Sequence, residues 1–491
     1  MSDKKIRIPV ERYEWPDERR QKRQRRMRNL VITIALIVAF GFGYVVRTAA
    51  TPLNTAAPTN FERFEAIFNV LKDEWYYSKD LINPEDKLIN DAVNGMIESS
   101  GDPHTVYMSA EEVQQFSESI DRGFVGIGVS YFDNNGTFII ERVFIDSPAQ
   151  KAGVQPGDII YSVDGVSTVG LTSDEIVDKV RGVENTVVRI EFLRGQDIVP
   201  LDITRGIIAN TAFGKMLEND VAFLEIYQFG TSTAREVRQY IEVFKQANAS
   251  KIIIDLRDNG GGYLTSLEDV GSMFVPKDGV LIQQELTSGD KLVSKSTGDI
   301  IHPFSEIIIL VNENTASAAE VFAAAVEENI GSTIIGVTTY GKGTVQQQRP
   351  FSDGSALKYT VAEWFSPLGN KINGVGITPD VNVAQHEVMQ ETFTLLEEDE
   401  AYGFDQVHES IRDAQVALDF LDYNVDRKDG YFSEATLTAI QSYLNDNEYI
   451  ELEAIVNKEL LDTLRADVVR EWHLNPIKDF QLQKALELAY E

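Results

Sequence analysis

Apolar residues recur with two alternating periods between residues 206 and 385 of this 491-residue chain. Short apolar runs of five to seven residues, rich in β-branched side chains, are typical of buried strands, and longer stretches with helical spacing separate them. The predicted strands are Val221–Tyr227, Lys251–Leu256, Glu306–Val311 and Thr333–Val337. Because strands that alternate with helices form mostly parallel sheets, the pattern predicts an α/β domain.

The pattern changes on both sides of this segment. Residues 123–205 contain short strands, two short helical stretches and glycine turns, which predict a small β-domain. Before it, Phe61–Trp75 and Pro84–Ser99 have helical spacing, and beyond residue 386 amphipathic helices follow. The chain is therefore predicted to be multidomain, with a helical N-terminal region and a small all-α C-terminal domain.

An uncharged apolar run, Leu30–Val46, follows an arginine-rich segment at residues 19–28. Seventeen residues are at the short end for a transmembrane helix, and basic residues before such a helix favour a cytoplasmic N-terminus. We predict a single-pass anchor in the cell membrane, with the residues after 47 outside the cytoplasm. The alternative is a signal peptide cleaved near Ala50.

Charge and cysteine content exclude several classes of function. Residues 1–29 carry a net charge of +6, which leaves about −38 on the remainder of a chain whose total is −32. So acidic a surface argues against nucleic acid as a partner. The chain has no cysteine, which excludes disulfides, thiol catalysis and thiolate metal sites.

Ser317 and Lys342 are the candidate catalytic residues. Ser317 stands between the Glu306–Val311 strand and a helical run beginning at Ala318, where a hydroxyl can lie beside free helix N–H groups. Lys342 is flanked by two glycines, which allow a tight turn and close approach to another segment. These features predict a Ser/Lys dyad. Each residue also has a simpler interpretation, a helix cap for the serine and a solvated loop charge for the lysine.

Other chemistries fit the same region less well. The segment from Gly336 to Lys342 matches the start of a phosphate-binding loop, but Gly343 stands where that loop needs a serine or threonine hydroxyl. The five histidines are scattered and none lies between Ser317 and Gln346, so a Ser-His-Asp mechanism would require a distant histidine. No H-E-x-x-H motif is present, and no metal or cofactor is predicted.

Four motifs in this region resemble those of the carboxy-terminal processing peptidases, or tail-specific proteases. They are Asp255-Leu-Arg257-Asp-Asn259-Gly-Gly-Gly262, Thr315-Ala-Ser317-Ala-Ala-Glu320, Tyr340-Gly-Lys342-Gly-Thr-Val-Gln346, and Thr360–Pro367 continued by Gly374–Asp380. The resemblance implies a serine endopeptidase with a crotonase-like ββα core. It also implies that Ser317 is the nucleophile, that Lys342 is the base, and that Gln346 positions the lysine or the substrate.

The oxyanion hole is predicted from two segments. Three glycines just past a strand permit close backbone approach, so the Gly262 N–H is one expected donor. The family resemblance implies that the Ala318 N–H is the other. The neighbouring Asp255 and Arg257 are interpreted as a structural pair, and His104 as a structural residue of a loop that the family carries.

The small β-domain resembles a PDZ domain. The resemblance is carried by Phe124–Tyr131, by Ser147-Pro-Ala-Gln-Lys-Ala-Gly153 and by the Gly157–Gly165 segment. A PDZ domain adds a peptide as an extra strand and holds its terminal carboxylate in backbone N–H groups, which implies protein or peptide substrates with apolar C-termini. The expected contacts are Gly126, Ile127, Gly128, Val129 and, at the end of the second helix, Arg181.

The C-terminal region resembles the small peptidoglycan-binding repeat, through Asp429-Gly430-Tyr-Phe432 and the Thr436 that follows. Peptidoglycan is thus a candidate ligand. Alternatively, this C-terminal region is a dimerisation element, which would make the protein a homodimer. An EF-hand starting at Asp422 is excluded, because Arg427 and Ser433 stand where glycine and glutamate are required.

These observations predict a membrane-anchored serine endopeptidase that cleaves envelope or secreted proteins; the alternative is a non-catalytic PDZ adaptor at the cell wall. The predicted segments are a cytoplasmic basic tail (1–29), an anchor (30–47), a tether (48–59), a helical region (60–120), a PDZ domain (121–205), a protease core (206–385), a connector (386–405), a peptidoglycan-binding-like domain (406–465) and a helical tail (466–491).

Overall fold

The computed structural model describes residues 59–121, 124–208, 210–299, 301–390, 392–397 and 399–490, together with Arg25, Met27 and Arg28. The predicted basic tail, anchor and tether therefore lie almost wholly outside the described residues. Within the described part of the chain, no helix is long and apolar enough to cross a membrane.

The first of two compact units comprises residues 1–93. Its helix α1 spans Asn60–Asp73, and α2, Pro84–Glu98, begins in the same unit. Thr59 and Glu62 form a reciprocal capping box, which satisfies N–H groups of the first turn of α1. The predicted helical spacing is present, but α1 buries no residue, and Phe61 and Ile67 are 76% and 55% exposed.

The second unit, residues 94–491, contains the end of α2, then a short strand and a helix, and continues into the predicted PDZ domain. The elements are β1 (Val106–Met108), α3 (Ala110–Asp121), β2 (Phe124–Gly126), β3 (Val129–Asn134), β4 (Thr137–Val143), α4 (Pro148–Ala152), β5 (Ile159–Val163), β6 (Val166–Ser167), α5 (Ser173–Val180), β7 (Val187–Arg194), β8 (Asp197–Thr204) and β9 (Gly206–Ile208). The PDZ sheet has the order β3-β4-β5-β7-β8, with β6 on β5. Its alternate inward residues, such as Phe138, Ile190 and Phe192, form one closed core.

The predicted protease core follows, and its elements appear where the apolar runs predict them. They are β10 (Ala212–Met216), β11 (Val221–Ile226), α6 (Thr233–Gln246), β12 (Lys251–Asp255), α7 (Leu264–Gly271), β13 (Val280–Leu286), β14 (Lys291–Lys295), β15 (Glu306–Val311), α8 (Ala318–Ile330), β16 (Thr333–Gly336), β17 (Thr344–Pro350), β18 (Ala356–Phe365) and β19 (Val381–Asn382). The sheet order is β10-β11-β12-β15-β16-β19, and every pairing except β10 with β11 is parallel.

Both faces of this sheet are covered, which explains why its strands are apolar without alternation. One face, with Ile252 and Ile309, packs against helices α6, α7 and α8. A second sheet, β1-β18-β13-β14 with β17 also on β18, stands beside these layers. Strand β1 comes from the region that was predicted to be helical, so that region contributes a strand to this sheet.

The C-terminal elements are β20 (Ala401–Tyr402), α9 (Glu409–Phe420), α10 (Glu434–Asp446), β21 (Val456–Asn457), α11 (Lys458–Leu474) and α12 (Phe480–Tyr490). The domain is helical apart from the pairing of β20 with β21. Helix α11 runs straight through residue 465, so the boundary predicted there is wrong. The predicted tail is also part of the core, because Ala485 and Ala489 of α12 pack against the other face of the six-stranded sheet.

Candidate active site

Ser317 occupies a sharp turn between β15 and α8. Its backbone dihedral angles are φ 55° and ψ −118°, a combination that residues other than glycine seldom adopt. Such conformations persist only where the surrounding structure imposes them, and they concentrate at functional sites. The turn leaves the side chain half-buried at the start of the helix, as the sequence predicts.

Glu320, on the first turn of α8, joins the serine turn to the lysine turn. Its buried carboxylate accepts hydrogen bonds from the Ser317 N–H (2.8 Å), the Gly341 N–H (2.7 Å), the Lys342 N–H (2.9 Å) and the Thr339 hydroxyl (2.5 Å). Burial raises the pKa of Glu320, while these donors act in the opposite direction. The sequence carries a signal for this arrangement, since an acidic residue three positions after a helix-capping serine is typical of a capping box.

The glycine loop after β12 lies directly against the serine turn. Asn259 holds the loop by donating to the Ile226 carbonyl (2.7 Å) and accepting from the Gly261 N–H (2.9 Å). Gly261 has φ +104°, and a Cβ atom there would lie 2.7 Å from the Ser317 Cβ. Only glycine permits this approach, which explains the run of glycines in the motif.

The two predicted oxyanion donors meet at the same place. Gly262 and Ala318 both line one cleft, and neither N–H has an acceptor among the described residues. Ala318 begins a helix, where the first N–H groups lack an intrahelical partner. Two unpaired N–H groups beside a serine hydroxyl can stabilise a negatively charged tetrahedral oxygen.

Lys342 lies half-buried in the turn between β16 and β17. Burial lowers the pKa of Lys342, the nearby Lys358 lowers it further, and Glu320 acts in the opposite direction. The flanking glycines are required, since a Cβ at Gly343 would lie 2.3 Å from the Asn373 nitrogen. A lysine whose ammonium form is disfavoured in this way can act as a general base.

Gln346 follows on β17 and faces the same space. Its amide donates to the Thr344 hydroxyl at 2.7 Å and lies 3.5 Å from the Thr360 hydroxyl. The cleft has a volume of about 490 Å³, and all five predicted residues of the catalytic site line it. Those residues are Gly262, Ser317, Ala318, Lys342 and Gln346.

The predicted peptide-binding residues lie in the PDZ domain and do not line this cleft. Gly126–Val129 connects β2 to β3, and β3 is an edge strand of its sheet. Gly128 has φ +82°, and a Cβ there would lie 2.4 Å from the Ser147 Cβ, so the loop packs tightly on the start of α4. Arg181 is the C-cap of α5.

His104 lies outside the set of residues that line the cleft, although the charge of Lys342 acts on its ring. Burial lowers the pKa of His104, and the charge of Lys342 lowers it further, while Asp102 acts in the opposite direction. Asp102 accepts from the His104 N–H (3.0 Å) and the Thr105 hydroxyl (2.5 Å), which fixes this loop. The arrangement offers no hydrogen bond from His104 to Ser317.

The Asp255–Arg257 pair is remote from these groups and joins the core to the C-terminal helices. Arg257 binds Asp255 at 2.6 Å and Asp479 at 2.8 Å, and all three side chains are less than a tenth exposed. A possible metal-binding group among the described residues, His386, Glu387 and Asp419, also lies outside the cleft. The Lys428 ammonium already donates to both of its carboxylates, at 2.7 and 2.6 Å.

Comparison with known proteins identifies the family. Residues 220–383 match the model of peptidase family S41, and residues 139–194 match a PDZ domain model. The carboxy-terminal processing protease CtpA of Bacillus subtilis is 30% identical over 473 residues, which cover 95% of this chain and 98% of that protein. A probable CtpA-like serine protease of Staphylococcus epidermidis is 31% identical over 419 residues, or 85% of this chain and 84% of that protein.

A solved structure, that of the photosystem II D1 C-terminal processing protease, is 24% identical with a TM-score of 0.43 and covers 65% of this chain and 86% of that one. The two bacterial relatives carry the assignment, since both align over most of their length. The chain belongs to peptidase family S41, and it is a serine-type peptidase of the carboxy-terminal processing group that carries a PDZ domain.

Proposed function

We propose that the peptidase cleaves its substrates with a Ser317/Lys342 dyad. The observation that carries the proposal is the convergence of Ser317, Lys342 and the two unpaired N–H groups of Gly262 and Ala318 on one cleft. A nucleophile, a base and an oxyanion hole are the three groups that acyl transfer requires.

In the first half-reaction, the Ser317 Oγ attacks the scissile carbonyl carbon while the neutral Lys342 amine takes the hydroxyl proton. The carbonyl oxygen becomes an oxyanion that accepts hydrogen bonds from the Gly262 and Ala318 N–H groups. Collapse of the tetrahedral intermediate breaks the C–N bond, and the Lys342 ammonium returns the proton to the leaving amine. The product is an acyl-enzyme ester on Ser317.

In the second half-reaction, water attacks the ester and Lys342 takes a proton from it. The second tetrahedral intermediate collapses, Ser317 regains its proton from Lys342, and the new carboxylate leaves. Gln346 supports the cycle by bounding the cleft beside the lysine, held in place through the Thr344 hydroxyl.

The test is cleavage of casein by the purified full-length protein in detergent. Ser317→Ala and Lys342→Ala should each abolish cleavage, whereas Ser288→Ala, a matched change in an exposed turn, should leave the rate unchanged. A fluorophosphonate probe should label the wild type and not Ser317→Ala. Cleavage by Ser317→Ala at the wild-type rate would contradict the dyad. Absence of cleavage and labelling in the folded wild type would favour the non-catalytic adaptor instead.

Substrate selection is assigned in this proposal to the PDZ domain. The edge of β3 can pair with an extended peptide, and the Gly126–Val129 loop offers backbone N–H groups to its terminal carboxylate. Arg181, at the end of α5, is a candidate contact to the bound tail. Peptides with a free apolar C-terminus should be cleaved faster than the same peptides with an amidated end; equal rates would contradict the assignment.

The proposed location is the outer face of the cell membrane. It is supported by the apolar run Leu30–Val46 and the basic segment before it. Protease added to intact spheroplasts should degrade residues 48–491 and spare a short N-terminal fragment, and full protection of the catalytic domain would contradict this topology.

Two further parts of the proposal concern binding. The exposed apolar residues of α1 support a homodimer, and the Asp429–Phe432 segment supports peptidoglycan as a ligand. Sedimentation equilibrium should show a dimer for the wild type and a monomer for the double variant Phe61→Ser, Ile67→Ser. Cosedimentation with purified cell walls tests the ligand by comparing the full chain with an Asp429→Ala variant, since the Asp429 side chain is 57% exposed; equal binding by the two proteins would contradict a role for this segment.

A further inference from the structure

Lys358, on β18, is a second lysine that lines the catalytic cleft. Its side chain is half-buried, and within the described residues its ammonium group forms neither an ion pair nor a hydrogen bond. The chain carries 77 acidic residues against 45 lysines and arginines, so an acidic partner would be easy to provide. A partly buried ammonium without a carboxylate partner is energetically unfavourable, so an unpaired lysine at this position suggests a functional role.

The position of this ammonium is defined by an aromatic ring. The Lys358 Nζ lies over the ring of Phe116, 4.6 Å from its centroid, and Phe116 belongs to α3 and lines the same cleft. The face of an aromatic ring attracts a cation without neutralising it. Phe116 therefore stabilises the charged form of Lys358 in place, and the field of that charge remains available to the cleft.

The strand register places Lys358 on the same face of the sheet as Gln346, one of the residues predicted for the catalytic site. Lys358 pairs with Gln348 and Thr360 pairs with Gln346 across β17 and β18, and residues two apart on a strand share a face. Lys358 therefore stands on the face that carries Gln346. On its other side β18 pairs with β1, which brings the His104–Thr105 segment alongside.

We propose that the Lys358 ammonium is a positioning charge that keeps Lys342 in the neutral form required of a general base. The inference rests on the proposed Ser317/Lys342 dyad. Lys358 acts through Lys342 and transfers no proton in the reaction itself. Repulsion from the Lys358 charge disfavours the ammonium form of Lys342, so less burial is needed to hold that lysine neutral near pH 7.

The groups that face Lys342 support this assignment. Burial and Lys358 lower the pKa of Lys342, and Glu320 is the opposing charge. Two amines at one site lose their first proton at a lower pH than either would alone, and the ring of Phe116 favours the remaining proton on Lys358. Burial lowers the pKa of Lys358 as well. His104 adds little charge, since burial and both lysines lower its pKa.

The experiment measures kcat/KM against pH for three variants with an amidated peptide that contains no acidic residue. Lys358→Met removes the charge and keeps the apolar stem, so the rising limb should move about one pH unit upward, roughly a tenfold loss on that limb. At high pH its rate should approach that of the wild type. Lys358→Arg keeps the charge, so its limb should stay at or below the wild-type position. Phe116→Leu should give a smaller shift in the same direction as Lys358→Met.

A second measurement avoids activity altogether. In the Ser317→Ala background, the reaction of Lys342 with an amine-specific reagent, followed by mass spectrometry, reports its neutral fraction at each pH. That titration should move upward by the same amount when Lys358→Met is added. Equal thermal stability of the variants excludes unfolding as the cause.

Several results would overturn the inference. A loss in Lys358→Met by the same factor at every pH, with an unmoved Lys342 titration, would show that Lys358 is only structural. A rise in KM confined to peptides with a free carboxylate, again with an unmoved titration, would show that Lys358 binds substrate instead. These results differ from failure of the dyad, which would appear as cleavage by Lys342→Ala.

Discussion

The catalytic cleft and the junction around Arg257 each contain buried or partly buried basic residues, but the two sites treat positive charge in opposite ways. Arg257 lies between Asp255 and Asp479; burial alone would lower its pKa, but these carboxylates raise it. Lys342 and Lys358 both line the cleft, and both have lowered pKa values. Paired charges stabilise the contact between modules, whereas an unpaired amine becomes a base.

Residue type matches these two roles. A guanidinium keeps its proton at any working pH and binds two carboxylates with its planar fork, so arginine suits the junction. An amine can release its proton when it is desolvated and placed beside another cation, so lysine suits the cleft.

Replacing the base is expected to have the largest effect. Lys342→Arg should reduce kcat/KM by about 10³-fold or more, because a guanidinium cannot accept the Ser317 proton. In the wild type the rate should rise with pH through the pKa of Lys342, which burial and Lys358 lower from the ordinary lysine value of about 10.4. A pH profile of peptide cleavage measures both.

The stability of these variants provides the control. The folded-state pKa of Lys342 is lowered, so the folded protein binds fewer protons than the unfolded one, and stability should rise with pH through that window. Lys342→Met should therefore melt no lower than the wild type at pH 7. Substantial activity in Lys342→Arg would contradict the role of Lys342 as base.

Replacing Arg257 should mainly lower the stability of the fold. Arg257→Met leaves two buried carboxylates without their partner, which typically costs about 3–5 kcal/mol of unfolding free energy. Urea denaturation followed by circular dichroism measures this. The activity that remains should keep the wild-type pH limb, because the base is untouched; a shifted limb would show that the two sites are electrostatically linked.

Replacing Glu320 should lower both stability and activity, because its carboxylate connects the Ser317 turn and the Lys342 turn. Glu320→Gln keeps the size of the side chain but places an amide among four donors, and we expect a loss of about 1–3 kcal/mol in unfolding free energy. The rate should fall through kcat with KM little changed, since the turns hold the reacting groups. A change confined to KM would assign Glu320 to substrate binding.

An exposed ion pair should matter least. Arg189 and Asp202 are 54% and 61% exposed on strands β7 and β8, with 3.1 Å between their charged atoms. Arg189→Met should change the unfolding free energy by less than about 1 kcal/mol, and raising the salt concentration should remove even that difference. A loss similar to that of Arg257→Met would mean that burial does not distinguish the two pairs.

Sequence patterns predicted much of the core and of the site. The strand Glu306–Val311 has the predicted bounds, and three others end within a residue or two of them. Ser317, Lys342 and Gln346 were identified because they lie in local motifs only 29 residues apart from end to end. Residues this close can be recognised from their spacing, since one strand and one helix separate them.

Other features could not be read in this way. The exposed apolar face of α1 has the same periodicity as a buried helix face, and periodicity alone does not reveal what covers it. The boundary predicted at residue 465 is wrong because α11 buries apolar residues on both sides of it, such as Leu464 and Val468, in one core. The final helix α12 is predicted to be a C-terminal tail, but it packs against one face of the six-stranded sheet.

By itself, the sequence determined the order of strands and helices, the family motifs and the choice of Ser317 and Lys342 as candidate nucleophile and base, because each depends on residues that are neighbours along the chain. Only the tertiary structure decided the protonation of that base. Lys358 and Phe116 reach the cleft from β18 and α3, and Glu320 reaches both turns, through contacts between separate elements. A pKa depends on the burial and the charges around a group, and those follow from packing.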